Sequence, residues 1–277
     1  MKRRLIQLCA ALLYNLNLKG FAEASIYTGK SKGLCVPGLN CYSCPGAVGS
    51  CPLGTLQNAL SAMDRKLPFY ILGVLLLFGV TMGRTICGFL CPFGLVQELL
   101  YKIPVPKIKK NRVTQELSKV KYVILAVFVI ILPVVFKAAS GLPVPAFCKY
   151  ICPAGTLEGG IPLVLLDDSL SGLAGALFHW KVLVLAVILV SACFLYRSFC
   201  RILCPLGAIY SLFAPVALLG VRIDRDTCVD CGRCVRTCKM DVRQVGDREC
   251  IQCGECMKEC NVDAIYWKKP WDVKSKK

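Results

Sequence analysis

Long apolar runs alternate along this chain with short polar segments that carry most of its cysteines. The first run, Leu5 to Leu18, follows the basic start Lys2-Arg3-Arg4, and Ala22-Glu23-Ala24 behind it has the small-residue form of a leader cleavage site. Asn15, Asn17 and Lys19 interrupt its later part, which favours a retained, imperfect first membrane helix over a cleaved leader. Either reading puts residue 30 outside the membrane. Leu67 to Ile86 then supplies 20 mostly apolar residues, enough for a helix to span roughly 30 Å. Tyr122 to Phe136 predicts a return crossing between Lys121 and Lys137, with Pro133 as a candidate kink, and Trp180 to Phe199 predicts the last. Between these, IPLVLL (161–166) and LSGLAGALF (170–178) are apolar enough to dip into lipid without crossing.

Charge orients these runs. From 102 to 121, Lys102, Lys107, Lys109, Lys110, Arg112, Lys119 and Lys121 stand against the single acid Glu116, which marks a cytoplasmic loop. The region 138–179 has Lys149 as its one basic residue before Trp180, with Glu158, Asp167 and Asp168, and belongs outside. Four crossings with both termini in the cytoplasm follow, in a multi-pass protein of the cell membrane. The 56% hydrophobic content and mean hydropathy of +0.58 agree with lipid as a partner. The net charge of +17 lies mainly beside apolar runs, so it argues for membrane orientation and against nucleic acid.

Twenty cysteines in 277 residues point to metal, because a chain this long does not need a small disulfide scaffold. RTICGFLCPFG (84–94) and RSFCRILCPLG (197–207) share Arg, Cys, Leu, Cys, Pro and Gly in register, each after an apolar run. A spacing of four predicts both sulfurs of a pair on one helical face a turn apart. Proline after the second cysteine suits the start of a new helix, where free N–H groups and the dipole favour thiolate. Cys87, Cys91, Cys200 and Cys204 thus read as one shared iron–sulfur site at the inner membrane face, with inert buried cysteine as the alternative. Arg84 and Arg197 either offset the charge of that site or anchor the helices at the cytoplasmic boundary.

A second match links CPLGTLQ (51–57) to CPAGTLE (152–158), identical at five of seven positions. The chain therefore reads as a duplication within a membrane domain of residues 1–221, with halves 35–117 and 148–221. Sites shared between such halves lie at their interface, by analogy with transporters built from repeats. The outer cysteines number six: Cys35, Cys41, Cys44, Cys51, Cys148 and Cys152. One arrangement uses Cys51, Cys148, Cys152 and either Cys41 or Cys44, leaving a surplus free to form a disulfide. The other is self-contained on Cys35, Cys41, Cys44 and Cys51. Cys9 and Cys193 stand alone in apolar runs as core residues, and His179 sits at a membrane boundary. No phosphate-cradling glycine loop and no serine, histidine and carboxylate set argues for hydrolysis.

The C-terminal segment, 222–277, carries Cys228, Cys231, Cys234, Cys238 and then Cys250, Cys253, Cys256, Cys260, both with the spacing C-x2-C-x2-C-x3-C. This is the two-cluster ferredoxin pattern, in which the fourth cysteine of each run serves the other cluster. Cys228, Cys231, Cys234 and Cys260 form one set, and Cys250, Cys253, Cys256 and Cys238 the second. Zinc ribbons are the competing use of C-x2-C pairs. Lys239 and Asn261 stand where proline usually follows the fourth cysteine.

With the paired Cys-x-x-x-Cys-Pro motifs, these runs make the chain resemble the membrane-bound 4Fe–4S polyferredoxins from about residue 67 onward. That family includes the quinol-oxidising membrane subunit of periplasmic nitrate reduction and the membrane regulator of nitrous-oxide reductase. The loop at 35–54 goes beyond their two-motif pattern and suggests an outer centre. The resemblance implies electron transfer at or across a membrane, with two 4Fe–4S clusters in a cytoplasmic ferredoxin domain. The expected fold is an α-helical membrane protein of about four transmembrane helices in two pseudo-repeated halves, followed by an α+β two-cluster ferredoxin domain. One or two further iron–sulfur clusters are expected in the membrane domain. The expected function is transfer from a cytoplasmic donor such as a ferredoxin to an extracytoplasmic redox protein or reductase, with exposed Arg233, Arg236 and Lys258 as candidate steering charges. The alternatives are a quinone oxidoreductase subunit, with quinone as partner, and a redox-sensing regulatory or maturation factor.

Overall fold

A computed structural model describes residues 2–61, 69–108, 110–167, 169, 172 and 174–268. Lys109, Asp168, the start of the run at Leu67, parts of the 170–178 segment and residues 269–277 lie outside the described residues.

Helix α1, Lys2–Tyr14, has 13 residues, roughly 20 Å of rise, and stops before the asparagines. Asn15 folds back instead, its side chain donating to Asn40 at 2.9 Å, while Val48 N–H donates to the Tyr14 carbonyl at 3.0 Å. At the other end Arg3 pairs with Glu98 at 2.6 Å. The helix thus links the inner cysteine segment to the 35–51 loop. Gln7 and Ala10 face inward, while Leu5, Leu8, Leu12 and Leu13 face out, and Cys9 lies on that outward face rather than in the core.

After the four-residue turn α2 (Lys19–Ala22) come α3, Pro52–Ser61, and α4, Phe69–Thr81. In α4 only Ile71, Leu75 and Gly79 are buried, one residue per turn, and the remaining apolar side chains point outward. Gly79 is needed for close approach, since a Cβ there would stand 2.6 Å from the Phe213 ring. The short α5 (Thr85–Phe89) and α6 (Pro92–Leu100) lead to α7, Arg112–Ser140, which has 29 residues and a rise of roughly 43 Å. Asn111 caps its start, and Gly141 in the left-handed region (φ 71°) ends it. The expected kink takes the form of a π-helical stretch, Leu125–Ile131, just before Pro133. Such a bulge accommodates the N–H that proline lacks and the room its ring requires.

Helix α8 is Ala146–Tyr150, and α9, Gly155–Leu166, is too short to cross a membrane and begins with a second π-helical turn. Helix α10, Ala176–Phe194, buries Leu185, Ile188 and Ala192 and presents Leu183, Val187 and Val190 outward. It ends five residues before the expected Phe199, because Leu195 is extended and Arg197 is left-handed (φ 50°). Short α11 (Ser198–Ile202) and α12 (Pro205–Phe213) follow. Among the described residues, α7 and α10 are the helices long and apolar enough to span a bilayer, which weakly suggests membrane association.

The chain closes with a two-stranded antiparallel sheet, β1 (Gly220–Ile223) and β2 (Ile265–Lys268), in register Val221↔Trp267 and Ile223↔Ile265, a short helix, α13 (Arg233–Thr237), and a 3-10 turn, Glu255–Glu259. Val221, Val245 and Ile265 form a small core beneath the sheet. Met240, Val242, Cys250 and Ile251 instead join the main core with Ile86, Phe93 and Phe199. Buried ion pairs reinforce this docking: Arg201 with Asp241, and Lys121 with Glu249 at 2.5 Å. Lys121, expected as a boundary charge, is fully buried.

Candidate iron–sulfur sites

The inner cysteine pairs do not sit on continuous helices. Cys87 lies in α5, the chain turns at Leu90, and Cys91 is the N-cap of α6 in an extended conformation (φ −86°, ψ 115°) with Pro92 at the first helical position. Cys200 lies in α11, and Cys204 caps α12 with φ −74° and ψ 110°. The cause is the proline, which drives the residue before it out of the α region. The expectation of two sulfurs one turn apart on a single helix is corrected accordingly. The four thiols nevertheless line one cavity, with Gly38, Leu39, Ile86, Leu206 and Tyr210. Gly207 N–H donates to the Cys204 sulfur at 3.3 Å, as a free N–H of a first helical turn does.

Arg84 and Arg197 are buried, at 1% and 0% exposure, and so are not boundary anchors. Each crosses to the opposite motif. Arg84 donates to the Gly207 carbonyl at 3.1 Å, and a Cβ on Gly94 would stand 3.2 Å from the Arg197 guanidinium. Arg197 also donates to the Cys87 carbonyl. Their counter-charges are Glu249, 3.2 Å from Arg84, and Glu98, which accepts from Arg197 Nε at 2.9 Å and lies 2.7 Å from Nη2 off the hydrogen-bonding direction. Glu98 is missed by the sequence reading because it precedes its partner by 99 residues.

At the other end, Cys41, Cys51, Cys148 and Cys152 line a cavity of about 670 Å³. Cys44 turns away to Asn15 (3.5 Å) and Cys35 to Thr55 (3.5 Å); both remain free thiols. The structure therefore brings Cys41 to the set that spans both halves and does not assemble the self-contained set. Glu158, half-buried behind it, accepts the Cys41 N–H at 2.6 Å, and desolvation pushes its carboxyl up to about 7.

The C-terminal cysteines form two further sets. Cys228, Cys231, Cys234 and Cys260 line one cavity, and Cys238, Cys250, Cys253 and Cys256 line another. The crossing of Cys238 and Cys260 between runs is the arrangement the spacing predicts. Asp230 and Gly232 (φ 48° and 67°) are matched by Gln252 and Gly254 (φ 57° and 75°), so both loops curl their N–H groups the same way around the middle cysteine. At the positions lacking proline, Asn261 accepts from Arg233 at 2.7 Å and Lys239 lies over the Tyr196 ring.

The donor chemistry suits clusters. Among the described residues no three Cys, His, Asp or Glu side chains are close enough to hold a single ion. The thiols instead come in fours around shared cavities, as an iron–sulfur core needs, whereas one zinc ion gathers its sulfurs to about 2.3 Å. Burial, followed by neighbouring thiols, pushes Cys91 up to about 11; burial also pushes Cys238 up to about 12. Cys193 is half-buried, its thiol on the Leu189 carbonyl, and exposed His179 meets the Gly175 carbonyl at its own helix start and the neighbouring Phe178 ring edge-on.

A family described as 4Fe–4S binding domain matches residues 50–70, 67–111, 122–161 and 176–223, more than half of the chain. The chain belongs to this 4Fe–4S binding domain family. Each matched stretch holds one Cys-Pro-x-Gly element, at Cys51, Cys91, Cys152 and Cys204. Curated relatives include uncharacterized protein MJ0750 of Methanocaldococcus jannaschii, 30% identical over 61% of this chain and 64% of the relative. YccM of Escherichia coli, named as an electron transport protein, is 23% identical over 70% of this chain and 54% of its own length. The methylamine utilization ferredoxin-type protein MauN of Paracoccus denitrificans is 26% identical over 70% and 62%. The chain thus spans less than two thirds of these relatives. No solved structure matches it. Iron–sulfur electron transfer is the function class that the 4Fe–4S family and these relatives support.

Proposed function

We propose that the protein carries electrons across the cell membrane through four 4Fe–4S clusters, from a cytoplasmic donor to an extracytoplasmic acceptor. The observation that carries this reading is the continuity of the four cysteine sets. Helix α13, which holds Cys234 of the first set, packs against the turn Glu255–Glu259, which holds Cys256 of the second. Gly88, beside Cys87, packs against Ile251, which lies between Cys250 and Cys253. Leu39 lines both the inner and the outer cavity. Cys228, Cys231, Cys234 and Cys260 would hold the first cluster and Cys238, Cys250, Cys253 and Cys256 the second. Cys87, Cys91, Cys200 and Cys204 would hold the third, and Cys41, Cys51, Cys148 and Cys152 the fourth. When bound, such clusters supply one-electron transfer, and the chain's own residues do the rest. Arg84 and Arg197 offset the thiolate charge, and the apolar wall of Ile86 and Leu206 excludes water.

In this reading α7 and α10 cross the bilayer in full, α1 and α4, of 13 residues each, carry the other two crossings together with the segments that adjoin them, and both termini are cytoplasmic. The basic segment 102–121 supports that orientation, because Lys110 reaches the Val235 carbonyl and Thr114 donates to Asp241 at 2.9 Å in the C-terminal segment. Exposed Arg233, Arg236 and Lys258 flank the cysteine sets there and suit an acidic donor such as a soluble ferredoxin. A second reading, a quinone oxidoreductase subunit, is favoured by the size of the outer cavity and its largely apolar wall, which includes Ala59, Pro145 and Leu163.

The test is anaerobic purification with iron and sulfide counts for the wild type and for Cys87→Ser, Cys152→Ser and Cys231→Ser. The expected result is about sixteen irons per chain, falling by about four in each variant. If Cys231→Ser alone lowers iron, the two membrane-side clusters do not exist. In sealed vesicles, external reductant should reduce a trapped acceptor through the loaded protein; failure there defeats the wire, and reduction of an added quinone analogue selects the second reading.

A further inference from the structure

Cys51–Gln57 and Cys91–Gln97 share the pattern Cys-Pro-x-Gly-x-x-Gln, and both glutamines are fully buried. The Gln57 amide donates to the Cys148 sulfur at 3.3 Å and to the Leu53 carbonyl at 3.2 Å, and its oxygen accepts the Phe147 N–H at 2.9 Å. The Gln97 amide donates to the Cys200 sulfur at 3.1 Å and to the Phe93 carbonyl at 3.3 Å, and its oxygen accepts the Phe199 N–H at 3.0 Å. The two sites repeat each other bond for bond, across an inner set and an outer set whose surrounding charges differ. The residues six places after Cys152 and Cys204 do not share this role, since Glu158 takes the Cys41 N–H and the Tyr210 hydroxyl donates to the Pro37 carbonyl.

We infer that Gln57 and Gln97 are matched positioning residues of the outer and inner centres, each holding one cysteine ligand by its sulfur and by the N–H just before it, and each raising the reduction potential of its centre. This rests on the reading of both sets as cluster ligands. A buried amide needs partners to avoid a desolvation penalty: the helix carbonyl takes one of its two N–H groups, the phenylalanine N–H serves its oxygen, and the second N–H is left for the cysteine. The third bond goes to the one atom whose negative charge grows when an electron enters. An N–H donor at that sulfur stabilises the reduced state more than the oxidised one.

The experiment is a redox titration of the full-length, anaerobically purified protein, followed by electron paramagnetic resonance, for Gln97→Leu, Gln97→Glu, Gln57→Leu and Gln57→Glu. Glutamate keeps the length and the acceptor for the phenylalanine N–H but loses the donor; leucine is the neutral control. Gln97 variants should keep full iron and lower the potential of one membrane centre, and Gln57 variants that of the other. The expected size is about threefold to tenfold in the oxidised-to-reduced ratio, tenfold being about 59 mV for one electron. One exchangeable-proton coupling of the reduced centre should vanish in the same variants, while those from the Gly207 and Gly155 N–H groups remain. If Cys87→Ser and Cys152→Ser leave iron unchanged, the cluster reading itself fails. If those lower iron while the glutamine variants shift no potential, or lose their cluster in both forms, the tuning role is overturned.

Discussion

Asp241→Ala should undock the C-terminal segment from the membrane-side core. Asp241 and Arg201 are each 1% exposed at the side chain and pair directly. Thr114, in the first turn of α7, donates to the other Asp241 oxygen at 2.9 Å and lies 3.4 Å from the Arg201 guanidinium. Three elements meet there: the start of α7, the Cys200 helix α11, and the segment just after Cys238. Removing the carboxylate leaves a guanidinium enclosed with a hydroxyl as its remaining side-chain partner, a loss of about 3–5 kcal/mol. That is a large part of the 5–15 kcal/mol by which folded proteins typically exceed the unfolded state. At about 2–4 °C per kcal/mol for a unit of 150–250 residues, the thermal midpoint should fall by about 6–20 °C. Cluster absorbance of the detergent-solubilised holoprotein during heating would report it. The double variant Arg201→Met/Asp241→Leu removes both charges and should recover most of the loss, since apolar replacements of buried pairs are often neutral or stabilising. A single variant that melts within about 2 °C of wild type, or a double variant no better than the single, would refute the argument.

Other perturbations read other joints of the molecule. Gly88→Ala would place a Cβ 2.3 Å from the Ile251 carbonyl, so iron content should stay full while electron transfer from the C-terminal clusters into the membrane slows, measured by stopped-flow reduction in vesicles. Glu98 is raised by burial, but Arg197 and Arg3 outweigh this and hold it below the ordinary carboxylate range. Its stabilising contribution is therefore present above the unfolded carboxylate value of about 4.3 and is lost as pH falls through the lower folded value. Glu98→Gln should melt earlier at pH 7 and show a flatter loss of stability on acidification. Arg197→Met, with Glu98 left buried and the Cys87 carbonyl without its donor, should lose about four irons per chain by analysis while the C-terminal clusters remain.

The sequence carried the chemistry better than the path of the backbone. Cysteine spacing announced both C-terminal sets and their crossing, and the matched Arg-x-x-Cys-x-x-x-Cys-Pro stretches announced the inner one. The outer set was half legible: the repeat tied Cys51 to Cys152, but whether Cys41 or Cys44 completes the set depends on a loop fold, fixed in part by Asn15 drawing Cys44 aside. Helix periodicity suggested one helix through each Cys-x-x-x-Cys, and the conformational demand of the following proline overrode it. The ion pairs were illegible because Arg84–Glu249 and Arg197–Glu98 join residues 165 and 99 apart, where no local pattern operates. Gln97 was within reach, since aligning 51–57 with 91–97 exposes the shared glutamine.

The two membrane-side sites have a common frame and different fields. Three residues before Cys87 and Cys200 stand buried arginines, whereas three before Cys41 and Cys148 stand Gly38 and Pro145. The inner site gathers fully buried Arg84, Arg197 and Lys121 against Glu98 and Glu249; the outer site has half-buried Glu158 behind Cys41 with Lys32 and Lys181 nearby, beside an open cavity where charge is better screened. If both hold clusters, positive charge favours the reduced form at the inner one, and a glutamine at each site cannot cancel the difference because it acts equally on both. An electron would then rest on the inner centre and leave for the outer one only when an acceptor draws it away. The open outer cavity is where such an acceptor, or water that screens Glu158, has access. If flow runs outward as proposed, the arginine pair would make the inner centre a holding point, and what occupies the outer cavity would set the rate.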